Sequence, residues 1–177
     1  MNNINTKKRN LTGKAFACAV LVIVLFAVLT SCTPVISDEA KEKAGYTEQE
    51  VTADFFEEKA RSLGYTTEDV TDQYTQEDFN VIKGIAINGD CFYVTFFETD
   101  GNDSAELAFN TVKKEKKYLI SDATEKSSVS IGTFQKYTLT SQGLYFLAER
   151  VGTTFISANC HDGESQKVTE LLDAIGY

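Results

Sequence analysis

The stretch FNVIKGIAINGDCFYVTFFE, residues 79–98, decides the fold class. Two runs rich in β-branched and aromatic residues, Phe79–Ile87 and Cys91–Glu98, flank Asn88-Gly89. Asn-Gly supplies the two positive φ values of a type I′ turn, whose twist matches that of the flanking strands, so the stretch reads as a β-hairpin. A two-residue turn sets Ile87 opposite Asp90, Ile85 opposite Phe92, Lys83 opposite Val94 and Val81 opposite Phe96. Val81, Ile85, Phe92, Val94 and Phe96 then share one face, which we assign to the core. Tyr93 and Phe97 fall on the other face, beside Cys91 and Ile82. Either a second layer covers that face, or it is an apolar patch suited to a partner.

Upstream of the hairpin, Thr47-Glu48-Gln49-Glu50 fits a capping box, and Val51, Phe55, Phe56, Ala60 and Leu63 follow at helical spacing until Gly64 ends the pattern. Residues 66–78 are acidic and turn-rich, with a short helical turn expected after Thr67. Downstream, Asp103 and Glu106 signal another helix start, continued by Ala105, Ala108, Phe109 and Val112. Lys113, Lys114, Lys116 and Lys117 suit the negative end of its dipole. Val129, Ile131, Tyr137 and Leu139 alternate with period two, predicting one strand over 128–140. Leu144–Val151 and Thr153–Asn159 read as a second hairpin around Gly152. Asp162 is placed as the cap of a last helix with Val168, Leu171, Leu172 and Ile175 inward. The expected order is α-ββ-α-βββ-α: an α+β fold, an antiparallel sheet of about five strands with three helices on one face. The first and last helices end alike, Leu63-Gly64-Tyr65 and Ile175-Gly176-Tyr177. The likeness fits either two apolar C-caps with a trailing aromatic or a duplicated α/ββ unit.

The N-terminus speaks to location. Residues 1–14 carry Lys7, Lys8, Arg9 and Lys14 and no acid, and residues 15–29 are fifteen apolar residues without a break. As a helix, that run spans roughly 22 Å, short of the ~30 Å hydrocarbon core, so it favours a secretory signal over a stable membrane span. It ends in Leu29-Thr30-Ser31-Cys32, which resembles the lipobox of bacterial lipoproteins. The resemblance implies cleavage before Cys32 and a diacylglyceryl thioether on its sulfur. Two acyl chains suffice for stable anchoring. The expected organisation is therefore a signal peptide over 1–31, lipidated Cys32 and a flexible tether over 32–46, and a single α+β domain over 47–177. The body, with Arg150-Val151-Gly152-Thr153-Thr154 and the terminal Ile175-Gly176-Tyr177, resembles small uncharacterised lipoproteins of Gram-positive bacteria.

Charge narrows the partners. The 177-residue chain has 17 Lys+Arg against 26 Asp+Glu, and removing the four bases of residues 1–31 leaves a 146-residue chain with a charge of −13. That balance argues against nucleic acid, which needs clustered cations. The expected partners are the membrane, through the lipid on Cys32, and an unknown protein or envelope ligand. No cofactor or metal is expected: one His cannot make a multi-histidine site, and Cys18, Cys32, Cys91 and Cys160 lack CxxC spacing.

No catalytic residue is assigned. Asn159-Cys160-His161-Asp162 contains the residue types of a thiol nucleophile with a base, but neighbours on a strand point apart, which favours a strand end and loop. Cys91 and Cys160, the thiols left after processing, form a possible disulfide or remain free. Asp100–Glu106 superficially resembles a calcium loop, yet Ala105 and Thr111 occupy the positions that need Gly and a bidentate Glu, so a turn into a helix is expected. Residues 38–78 hold thirteen acids and four bases, read as a solvated face. The sequence thus supports a membrane-anchored extracytoplasmic lipoprotein with a non-catalytic binding or interaction domain. The alternative is a cell-envelope enzyme acting on wall or extracellular substrate.

Overall fold

The computed structural model describes residues 37–47, 49–74, 79–119 and 125–177. Cys32 and the apolar run before it, Glu48 of the expected capping box and residues 75–78 of the acidic, turn-rich segment lie outside the described residues. Residues 38–177 form one compact unit. Among the described residues no helix is long and apolar enough to cross a membrane.

The sheet contains seven strands: β1 (Thr67–Asp69), β2 (Val81–Asn88), β3 (Phe92–Thr99), β4 (Glu125–Ile131), β5 (Phe134–Ser141), β6 (Leu144–Val151) and β7 (Thr154–His161). Every pairing is antiparallel, in the order β1-β2-β3-β7-β6-β5-β4. The helices are α1 (Asp38–Ala44), α2 (Ala53–Ser62), α3 (Asn102–Leu119) and α4 (Ser165–Ile175). The α+β class and antiparallel sheet are as expected, but the described residues form seven strands and four α-helices instead of five and three. Two differences account for the strands. Thr67–Asp69 pairs with β2, and the expected strand 128–140 is a hairpin that turns at Gly132-Thr133. Gly132 has φ +59, the backbone state that lets the chain reverse between Ile131 and Phe134.

The sheet is covered on both faces, not one. On the first face Ile85, Ile87, Val94, Phe96, Leu147, Val151 and Ile156 pack under Ala53, Phe56 and Ala60 of α2 and under Val168, Leu171, Leu172 and Ile175 of α4. On the second, Phe97, Tyr137, Leu139, Phe146 and Phe155 pack under Ala108 and Phe109 of α3. The two cores are legible as alternation: β7 sends Ile156, Ala158 and Cys160 one way and Phe155 the other.

Three local expectations are corrected. The β2–β3 register pairs Ile85 with Phe96 and Ile87 with Val94, four residues out from the expected pairing. Asn88-Gly89 is not a type I′ turn, because neither residue has positive φ, and the loop is longer, closed by Gly89 N–H donating to Phe92 O at 2.9 Å. An even shift preserves faces, so Ile85, Phe92, Val94 and Phe96 do share the first core. A bulge between Val81 and Lys83 turns Val81 to the second.

The first long helix begins at Ala53, not in the expected capping box. Thr52 Oγ1 accepts from Phe55 N–H, and Glu98 Oε2 accepts from Ala53 N–H at 2.9 Å. Glu50 instead reaches across to accept from Thr153 N–H at 2.7 Å. Residues 38–46, expected in the tether, form α1 and a turn whose Tyr46 ring sits edge-on 5.4 Å from Phe134.

The matching ends of α2 and α4 are matching Schellman caps. Tyr65 N–H donates to Ala60 O and Tyr177 N–H to Leu172 O, each at 3.0 Å, across Gly64 and Gly176 in the left-handed region. Each trailing tyrosine then meets a β3 ring, Tyr65 on Phe92 and Tyr177 on Phe96.

Candidate binding cavity at one end of the sheet

One row of the second face runs across four strands: Asn88 pairs with Tyr93, Tyr93 with Asn159, and Asn159 with Phe146. The β3–β7 pairing brings Tyr93 and Asn159 side by side from distant sequence. Beyond this row α3 ends, and a cavity of about 450 Å³ opens over it. Its lining includes Asn88, Tyr93, Phe146, Asn159, His161 and Lys116 of α3. The Lys116 ammonium lies 5.3 Å from the Phe146 ring centroid, a cation–π contact. Tyr93 and Asn159 are half-buried, Phe146 is buried, and Asn88 and His161 are exposed. No side-chain hydrogen bond is made by Asn88, Tyr93, Asn159 or His161 among the described residues. The cavity therefore has an aromatic floor and four uncommitted polar side chains, mostly neutral, and its size falls in the ~300–1,000 Å³ range of small-molecule sites.

The sequence-singled residues distribute around this end of the sheet. Cys160 is buried on the first face, and burial, with Asp162 and Glu164 adding, pushes its thiol up to about 11. That is the opposite of an activated nucleophile, whose thiolate is stabilised. Cys91 is exposed just before β3, and its carbonyl accepts from His161 N–H at 3.2 Å. Of the two alternatives for Cys91 and Cys160, the structure has free thiols and no disulfide. Cys160 pairs in register with Phe92, not Cys91, and a one-residue offset sends side chains to opposite faces. Asp162 is not a helix cap either. It begins a 3-10 turn, its side chain makes no capping bond, and its carbonyl accepts from Ser165 Oγ at 2.7 Å. Asp100 spends its oxygens on Ser104 Oγ and Asn80 Nδ2, bonds that lower its pKa, in a turn leading into α3. Of the second-face aromatics, Phe97 is stacked on Phe155 under the second core, whereas Tyr93 is left at the cavity.

A second cavity, about 380 Å³, lies on the first face between α1, α4 and strands β4 to β6. Lys136 lines it, with its ammonium 2.9 Å from Oε2 of fully buried Glu149. Glu149 Oε1 has no hydrogen-bond partner among the described residues, and burial pushes this carboxyl up against the opposing pull of Lys136. Tyr145, which borders both cavities, is pushed up to about 12 by burial, with the Cys160 and Glu149 charges adding.

On the second face Arg150 is buried as a clamp. Its guanidinium donates to Asn102 O at 3.0 Å, Gln135 Oε1 at 3.2 Å and Gly152 O at 3.2 Å, and so ties the start of α3 to the sheet.

Sequence reading missed the first cavity because strand order is not local information. The available signal was Asn159 on β7, a polar residue two places beyond Ser157 on a face otherwise apolar at Phe155.

The sequence matches no protein-family model and no curated protein. A crystal structure of a GTP binding regulator from Thermotoga maritima aligns with 71% of this chain and 84% of that one, at 13% identity and a TM-score of 0.42. A likeness at that level carries no functional argument.

Proposed function

We propose that this protein is an extracytoplasmic lipoprotein, anchored by lipid on Cys32, whose body binds a ligand or partner instead of turning one over. The observation that carries the anchor is Leu29-Thr30-Ser31-Cys32 at the end of a cationic start and a fifteen-residue apolar run. Binding is supported by the cavity at the sheet end, where neutral hydrogen-bonding side chains stand uncommitted over an aromatic floor.

The test is Cys32→Ala in the native cell. The variant is expected to lose lipid labelling and to accumulate as a larger precursor, and normal labelling at normal size would overturn the anchor. Cross-linking of the wild-type protein in native membranes tests the binding half. It is expected to yield a partner or ligand adduct lost on substitution at the cavity. If Cys160→Ala folded normally and kept the cross-link yet failed to complement a deletion, an envelope enzyme would replace a binding domain.

A further inference from the structure

We infer that the sheet-end cavity is a site for the ring of a neutral saccharide. This deepens the binding reading above and rests on it. The floor strands are paired on both sides, β3 with β2 and β7, and β7 with β3 and β6, so their backbone groups in this row are already spent. Recognition there must come from side chains, which disfavours an extended peptide, whose usual docking uses free strand edges.

The side chains available match a sugar. Tyr93, half-buried at the cavity, offers an aromatic face that attracts the polarised C–H bonds on one side of a pyranose ring, while buried Phe146, with Lys116 over its ring, backs the floor beside it. Asn88 and Asn159 flank Tyr93 in register, and each amide both donates and accepts. The Tyr93 hydroxyl does the same. A ligand with an apolar ring face and a rim of hydroxyls, each both donor and acceptor, satisfies all of them together.

Charge selects the neutral member of that class. Lys116 and Asp90 are one cation and one anion in the lining, and the chain beyond residue 31 carries −13. A nucleotide or other polyanion would meet repulsion from the body and only one lysine in the site.

The test uses the full-length lipidated protein in detergent micelles and three uncharged probes: maltotetraose, cellotetraose and chitotetraose. Saturation-transfer NMR is expected to show enhancement at ring protons of at least one probe, with affinity read by calorimetry. Tyr93→Ala should weaken that affinity by about tenfold or more through loss of ring contact. Asn159→Ala should weaken it too, and Tyr93→Phe, which keeps the ring, less than Tyr93→Ala. Tyr118→Ala, at a ring 86% exposed on α3, should leave it unchanged. Melting curves identify any variant that fails to fold, and Tyr93→Phe and Asn159→Ala keep the test decisive if Tyr93→Ala does.

Absence of binding by all three probes overturns the saccharide inference. So does binding that ignores the Tyr93 and Asn159 substitutions, or capture of guanosine, a neutral planar heterocycle, with no tetrasaccharide bound. A cavity-dependent cross-link in membranes together with any of those results would sink the saccharide alone and leave the binding domain standing. Loss of both would sink the two readings together.

Discussion

Gly89 has no room for a side chain. A Cβ built there would lie 2.6 Å from Phe92 Cε1 and 2.9 Å from Cδ1, and that ring is held in turn against Tyr65, with centroids 5.3 Å apart. Gly89→Val should therefore destabilise the protein by about 1–3 kcal/mol, the usual cost of overpacking. Chemical denaturation checks it, and an unchanged midpoint would show that the Phe92 ring swings away freely. The sequence leads to the same vulnerable position for a different reason, since Asn-Gly suggested positive φ and the structure has none there. The type I′ pattern sits instead at Gln142-Gly143, with φ values of 49° and 79°, a pair with a weaker sequence signal than Asn-Gly. His161 is exposed, as anticipated, but it ends β7 and does not lie in a loop, and Asp162 makes no cap.

Helices were the readable elements: the four inward residues of α4 and the small apolar face of α3 follow directly from 3.6-residue spacing. Less readable was α1, seven residues rich in charge with no apolar stripe of its own, which forms where Tyr46 beyond it finds Phe134. Beneath it lies a feature that periodicity would never reveal, the Glu149 carboxylate on β6 inside an apolar core, matched across the register by Lys136 of β5. Removing the cation should expose the cost of that burial. A carboxyl whose folded pKa is raised above its ordinary 4.5 binds protons more strongly folded than unfolded. The resulting loss of stability is absent below the unfolded value and grows as pH rises through the folded one. Lys136→Met raises the folded pKa further. Its deficit should be small near pH 4.5 and reach about 3–5 kcal/mol at pH 8, where the buried charge has no partner. Urea denaturation of both proteins at the two pH values checks this, and an equal deficit at both would show that Glu149 does not feel its counter-ion.

At the scale of the sheet, every neighbouring pair of strands but one among the described residues is consecutive in sequence: β1 to β3 form one meander, β4 to β7 another, and β3–β7 joins them. That single non-local pairing explains why so much was legible and the site was not. Local pattern builds each meander, but the row Asn88, Tyr93, Asn159, Phe146 exists only once the two have met. The same junction carries the buried Thr95–Ser157 hydroxyl pair, 2.8 Å apart between residues 62 positions apart in the chain. Closing so long a loop costs entropy before any contact repays it, so this seam should set the speed at which the chain folds. Ile156→Ala, in the seam, should slow refolding by most of its effect on stability, whereas Leu139→Ala, inside the second meander, should act mainly by hastening unfolding. Stopped-flow chevrons separate the two, and a seam variant that changes only the unfolding limb would refute it. A chain that emerges from its N-terminus also completes β3 long before β7 exists. For that interval the apolar β3 edge has no partner, and the nascent protein is exposed to wrong strand pairing until Thr154–His161 arrives.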